Sequence, residues 1–132
     1  MAKRPRGPKR TPESLTDTEL EMMSVIWRIG PCNVNQIIGA LPSERQLAYT
    51  SVSTIVRILE QKGFVHSFKE GRGHAYRAAV PKEDYQARSI NHLVQAVFDG
   101  TPTTLIRSLL ASESLTPADI AEINTLINQK KR

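Results

Sequence analysis

The stretch YTSVSTIVRILEQKGFVHSFKEGRGHAYRAAVP, residues 49–81, decides the fold. Val52, Ile55, Val56 and Leu59 recur at i, i+3, i+4 and i+7, the stripe of an amphipathic helix running roughly from Tyr49 to Lys62. Gly63 is a natural left-handed stop, because it lacks the Cβ that disfavours positive φ. The pattern then changes period. Phe64 to Lys69 and His74 to Val80 read as extended runs around Gly71-Arg72-Gly73, so a β-hairpin is expected. Tyr76, Ala78 and Val80 are expected to share one face and pack on Phe64 and Phe68. Pro81 closes the unit.

Working backwards, Thr16 and Glu19 have the spacing of a capping box, in which each side chain satisfies the other's free backbone N–H. Leu20, Met23, Ile26 and Trp27 follow at helical spacing, and Gly30-Pro31 ends that helix. Asn33 caps a short second helix with the stripe Val34, Ile37, Ile38 and Leu41, stopped by Pro42. Three helices and then a hairpin is the order of a winged helix-turn-helix. Working forwards, helices are expected from about Lys82 to Phe98, then around Leu105 to Leu110, then from a Thr116 cap with Pro117 in the first turn. The expected fold is therefore mainly α with a small β-hairpin. Its parts are a basic N-terminal tail (1–12) expected to be disordered, a winged domain (13–81) and a helical region (82–132).

The chain has 132 residues, formal net charge +5 and a single cysteine, Cys32. One cysteine forms no internal disulfide and no thiolate metal cluster, so a reducing cytoplasm is the default compartment. No apolar run approaches the roughly 20 residues of a membrane span. No apolar stretch follows the N-terminal basic residues, so no secretory signal is expected. Lys3, Arg4, Arg6, Lys9 and Arg10 supply the tail with positive charge and no acid accompanies them. Residues 43–77 hold Arg45, Arg57, Lys62, Lys69, Arg72 and Arg77 against three acids. Positive charge so placed fits a polyanionic partner.

The third helix sharpens this. Thr50, Thr54, Arg57 and Gln61 line one face, joined at the N-terminal end by Tyr49 and Ser51, and Glu60 is set to the side. A major groove admits one helix, and short hydroxyl and amide side chains let it approach base edges. Lys69 and Arg72 flank a thin hairpin tip suited to a phosphate ridge or a minor groove, and Arg77 is a further strand cation. These residues are the candidate contacts to double-stranded DNA. The C-terminal stripes are Ile90, Leu93, Val94 and Val97, then Leu105 and Leu109, then Ile120, Ile123 and Ile127. About 50 residues bury too little surface to stand alone, and the simplest partner is a second copy of the chain.

No carboxylate pair, nucleophile with its base, or phosphate loop stands out, so no enzyme is read here and no cofactor. His66 and His74 could face each other across the hairpin, but two imidazoles lack a third metal ligand. Cys32 is expected at a helix edge. Two other readings stay open: a nucleic-acid binder without sequence preference, and a protein-interaction module.

Leu47-Ala48-Tyr49-Thr50-Ser51-Val52, Arg57, Leu59, Lys62-Gly63-Phe64-Val65 and Gly71-Arg72-Gly73-His74-Ala75-Tyr76-Arg77 together resemble the penicillinase-repressor (BlaI/MecI) family. Leu15-Thr16, Glu19 to Met23 and Ile26-Trp27 are similar to that family's first helix. The resemblance implies a homodimeric winged-helix repressor of palindromic operators. It places DNA contacts in the third helix and wing, and dimer contacts in the C-terminal helices. It also implies a sensor or protease that relieves repression. Ser108-Leu109 stands where protease-controlled members carry Asn-Phe, so cleavage at that bond is not expected. The paired C-terminal cysteines of the copper-responsive branch are absent from the sequence.

Overall fold

The structure is a computed structural model, and it describes residues 14–131. The basic tail, including Lys3, Arg4, Arg6, Lys9 and Arg10, lies outside the described residues. The elements run α1 (Asp17–Ile29), α2 (Val34–Ala40), α3 (Tyr49–Gln61), β1 (Val65–Glu70), β2 (Gly73–Ala78), α4 (Lys82–Val97), α5 (Pro102–Ala111) and α6 (Pro117–Lys130). They divide into two compact units, one closing at Ser89 and one starting at Ile90.

The first unit is a winged helix. Thr16 and Glu19 form the expected capping box at the start of α1, and Gly30 closes it at φ 80°. Asn33 caps α2 and gains a reciprocal bond from Gln36, so this start too is a full capping box. The helical stripes meet in one core. Met22, Met23 and Ile26 of α1, Ile37 of α2, and Val52, Val56 and Leu59 of α3 are buried there with Phe64 and Val65. Gly63, at φ 85°, turns the chain from α3 into the hairpin.

β1 and β2 form a two-stranded antiparallel sheet in which Glu70 pairs with Gly73. The loop is therefore Gly71-Arg72 alone, shorter than the three-residue turn expected. Gly71 sits at φ 61° and Arg72 is not among the positive-φ residues, the combination of a type II′ turn, whose twist matches the strands. The register corrects the expected face. Phe68 pairs with Ala75, whereas Tyr76 pairs with Ser67 and Ala78 with Val65. Side chains alternate along a strand, so Phe68 lies on the side opposite Tyr76 and Ala78. The same alternation separates the histidines. His66 pairs with Arg77 and His74 with Lys69, on opposite faces.

The first unit extends beyond Pro81 because the root of α4 packs into it. Tyr85 lies 5.6 Å from the Trp27 ring and 5.7 Å, edge-on, from Phe64. Its hydroxyl accepts the Leu15 N–H, and Trp27 Nε1 donates to the Val80 carbonyl at 2.9 Å. Cys32 sits just ahead of α2 and is 1% exposed, and burial and the nearby Glu70 carboxylate both raise its thiol pKa.

One ion pair braces the helices. Lys62 Nζ donates to Glu19 Oε1 at 2.7 Å, joining the end of α3 to the start of α1. Burial raises the Glu19 carboxyl, but the Lys62 bond, the Thr16 backbone N–H and the Lys62 charge outweigh it and hold the group below its usual value. A carboxyl depressed in the native state stabilises the fold above its unfolded value, about 4.5, and that contribution is lost as pH falls through the lower native value. Lys62→Met removes the depression, so the variant is expected to lose less stability than wild type between pH 7 and about pH 3. Chemical denaturation at the two pH values checks this, and equal losses would contradict it.

In the second unit, α4 stops where Asp99 and Gly100 take φ 55° and 76°. The Gly100 N–H bonds back to the Val94 carbonyl at 2.9 Å. Thr116 caps α6 through a capping box with Asp119, and Pro117 occupies the first turn. The apolar stripes are largely uncovered. Ile90, Val97, Leu109 and Ile127 are exposed, as are Leu93 and Ile120 to a lesser degree. Leu105 and Ile123 are partly covered. Val94, 5% exposed, is already buried by its own chain, so its side chain is not presented as the others are.

Candidate nucleic-acid interface

α3 carries two opposed faces. Val52, Val56 and Leu59 are buried, and Tyr49, Thr50, Ser51, Thr54, Arg57 and Gln61 are all exposed. A helix period of 3.6 residues puts Thr50, Thr54, Arg57 and Gln61 in one row along the side away from the core. No acidic residue occurs in the first turn. The helix begins at Ala48, which offers no side-chain acceptor to the first-turn amides. α1 and α2 both start with capping boxes, so the open start of α3 leaves its amide donors and positive dipole end available to an anion.

The acid of α3 is taken out of the row. Glu60 accepts a 2.6 Å hydrogen bond from the Ser67 hydroxyl of β1, which ties its carboxylate to the hairpin side of the helix. Two other cations of the central segment are also committed. Arg45 Nε contacts both carboxylate oxygens of Glu21 at 2.9 and 3.0 Å, and Lys62 holds Glu19. Arg57 has no ion-pair partner among the described residues.

Lys69 and Arg72 are exposed at the hairpin end, with Lys69 directly across from His74. Arg77 is exposed but differently placed. It lies on the sheet face opposite Lys69, with its guanidinium 5.8 Å above the Phe68 ring. The structure thus gathers the α3 row and the Lys69–Arg72 tip into the winged unit and sets Arg77 on the hairpin's other face.

Tyr76 is the neighbour that sequence patterning assigned to packing alone. It is half-buried, and burial first, then the Glu60 carboxylate, raise its phenol pKa, while Arg57 pulls the other way and Tyr49 adds a smaller upward push. It pairs with Ser67, which bonds Glu60, so the ring lies on the side of the hairpin turned toward α3. Strand alternation alone could not place it there, because the register against β1 decides which face meets α3.

Among the described residues, no group of three His, Cys, Asp or Glu side chains is arranged to hold a metal ion. No helix there is long and apolar enough to cross a membrane.

Comparison with known proteins finds relatives in sequence over most of the chain. A protein of Bacillus licheniformis described as a penicillinase repressor is 26% identical over 123 residues, covering 93% of this chain and 95% of its own. The methicillin resistance regulatory protein MecI of Mammaliicoccus sciuri is 23% identical over 116 residues, covering 88% of this chain and 94% of its own. The solution structure of the DNA-binding domain of the repressor BlaI aligns with a TM-score of 0.49 and 32% identity, over 59% of this chain and 94% of that one. The profile of the family described as penicillinase repressor matches residues 15–129. Such a match takes in both the winged unit and the helices after it, and the chain belongs to the penicillinase repressor family.

Proposed function

We propose that this protein is a transcriptional repressor that binds a palindromic DNA operator as a homodimer in the cytoplasm. The observation that carries the reading is the row of Thr50, Thr54, Arg57 and Gln61. It is exposed, free of acid and backed by a helix face anchored in the core. A row of this chemistry fits the major groove, where hydroxyl and amide groups meet base edges and an arginine meets guanine. Tyr49 and Ser51 extend the row at the helix start, where recognition helices commonly meet bases. Lys69 and Arg72 give the wing tip its phosphate contacts, and Arg77 reaches the backbone from the outer strand face. Membership of a family described as repressors supports the same reading.

The second copy of the chain is the proposed occupant of the exposed stripes on α4, α5 and α6. Ile90, Leu93, Val97, Leu109, Ile120 and Ile127 offer it their uncovered surface, with Leu105 and Ile123 partly covered beside them. A sensor or protease that relieves repression remains part of the reading. Ser108 and Leu109 lie within α5, so a protease would have to unwind that helix to cut between them.

Selection of bound DNA from a random pool tests the proposal. It is expected to return a palindrome with half-sites one or two helical turns apart. Recovery of unrelated sequences, with steep salt dependence, would instead mark a binder without sequence preference. Arg57→Ala is expected to weaken binding to the selected site by about 1–3 kcal/mol and to relax the preference at one base position. Titration against the site and its single-base variants measures both. An equal loss on every sequence would reduce Arg57 to a phosphate contact.

A further inference from the structure

Tyr76 is held on the face of the hairpin that is turned toward α3. Its backbone is fixed from both sides. It pairs with Ser67 in β1, its N–H donates to the Cys32 carbonyl at 2.7 Å, and its own carbonyl accepts the Cys32 N–H at 2.9 Å. The strand therefore has little freedom to move the ring. The side chain shares its sheet face with Ser67, whose hydroxyl is bonded to Glu60, so that face looks onto α3. The ring packs against the core cluster. Its hydroxyl makes no hydrogen bond among the described residues, although the charge of Glu60 and, more weakly, that of Arg57 act on it.

The helical period gives the position of that hydroxyl a meaning. Tyr49, Ser53 and Glu60 fall on the flank of α3 between the exposed row and the buried stripe, and Arg57 borders both the row and the flank. A duplex that takes α3 in its major groove and the wing tip on its neighbouring backbone would bring a sugar-phosphate strand near this seam. A buried, unpaired hydroxyl would be costly, and a half-buried one at the seam is available as a donor. Burial and Glu60 both favour the protonated phenol, so the O–H stays a donor at neutral pH.

We propose that Tyr76 is a DNA-backbone contact, its phenol O–H donating to the phosphate that lies between α3 and the wing beside Arg57. This inference rests on the DNA-binding reading. It assigns Tyr76 to positioning the duplex and gives it no part in choosing sequence, because a phosphate oxygen is the same at every base pair.

Tyr76→Phe in the full chain is the test, since it removes one oxygen and keeps the ring. Binding of a mixed-sequence duplex is followed by fluorescence anisotropy over a range of salt, beside thermal melting of the free protein. The variant is expected to bind about tenfold more weakly, the loss of one hydrogen bond to a charged group. Its salt slope should match wild type, because a neutral donor releases no counterion, whereas Arg57→Ala should lower the slope by about one if Arg57 touches phosphate. Affinity within about twofold of wild type would overturn the proposal and leave DNA binding intact. So would a clear fall in melting temperature, which would make the hydroxyl a stabilising group of the fold. Failure of the wild-type protein to bind any duplex would end the DNA-binding reading itself, and the Tyr76 contact with it.

Discussion

Leu93→Glu combined with Ile127→Glu is expected to turn a dimer into monomers and to weaken operator binding by about 10²–10⁴-fold, the gain that linking two heads supplies. The choice of positions follows from exposure. Leu93 is 37% exposed and Ile127 48% exposed in the single chain, so a carboxylate at either site stays in water while the protomer folds. Across an interface between copies, the same carboxylates lose their hydration without a partner, which costs several kcal/mol per charge. Val94 would be a poor choice, because at 5% exposure a charge there would attack the protomer itself. Light-scattering mass and operator titration are the two measurements. A dimer mass in the double variant would place the interface elsewhere. Monomers that kept full affinity would show that one head suffices.

Phe64→Ala is expected to cost about 3–5 kcal/mol of folding stability, the range for truncating a buried phenylalanine. Phe64 is 1% exposed and meets Tyr85 edge-on at 5.7 Å. It follows directly on the glycine that ends α3, and its carbonyl accepts the Ala79 N–H at 2.7 Å beyond the end of the β1–β2 pairing. One ring therefore supports the end of α3, the base of the hairpin and the root of α4. Native proteins are stable by only about 5–15 kcal/mol, so the variant should lose a large share of the total. DNA binding should then fall with temperature well before wild type. Urea denaturation checks the first statement, and a loss below about 1 kcal/mol would mean that neighbouring side chains collapse into the space.

The aromatic cluster shows why one packing contact was not legible. Pro81 and the helical pattern after it point to a new unit at Lys82, and periodicity holds nothing to the contrary. Tyr85 lies on the same helix, yet it packs on Trp27 and Phe64, and the first unit runs on to Ser89. Contacts across about 60 residues of sequence are set by shape in three dimensions, and no local spacing encodes them. Phe68 carries the same lesson at shorter range. Its alternation with Phe64 was visible, but a one-residue choice of register and turn length decides which face a strand residue joins. A two-residue Gly71-Arg72 loop put it over against Ala75, beneath Arg77, and away from Tyr76.

The sequence by itself determined every helix, because caps, stripes and glycine stops are local and act within a few residues: Thr16 with Glu19, Asn33, Gly63, and Thr116 with Asp119. It also determined the exposed row on α3, since the 3.6-residue period that buries Val52, Val56 and Leu59 must turn Thr50, Thr54, Arg57 and Gln61 outward. Only the tertiary structure decided what borders that row. Glu60 is withdrawn by Ser67 and the Tyr76 ring is turned to the α3 side of the hairpin, through strand pairing and helix–sheet packing between segments whose spacing along the chain carries no record of the contact.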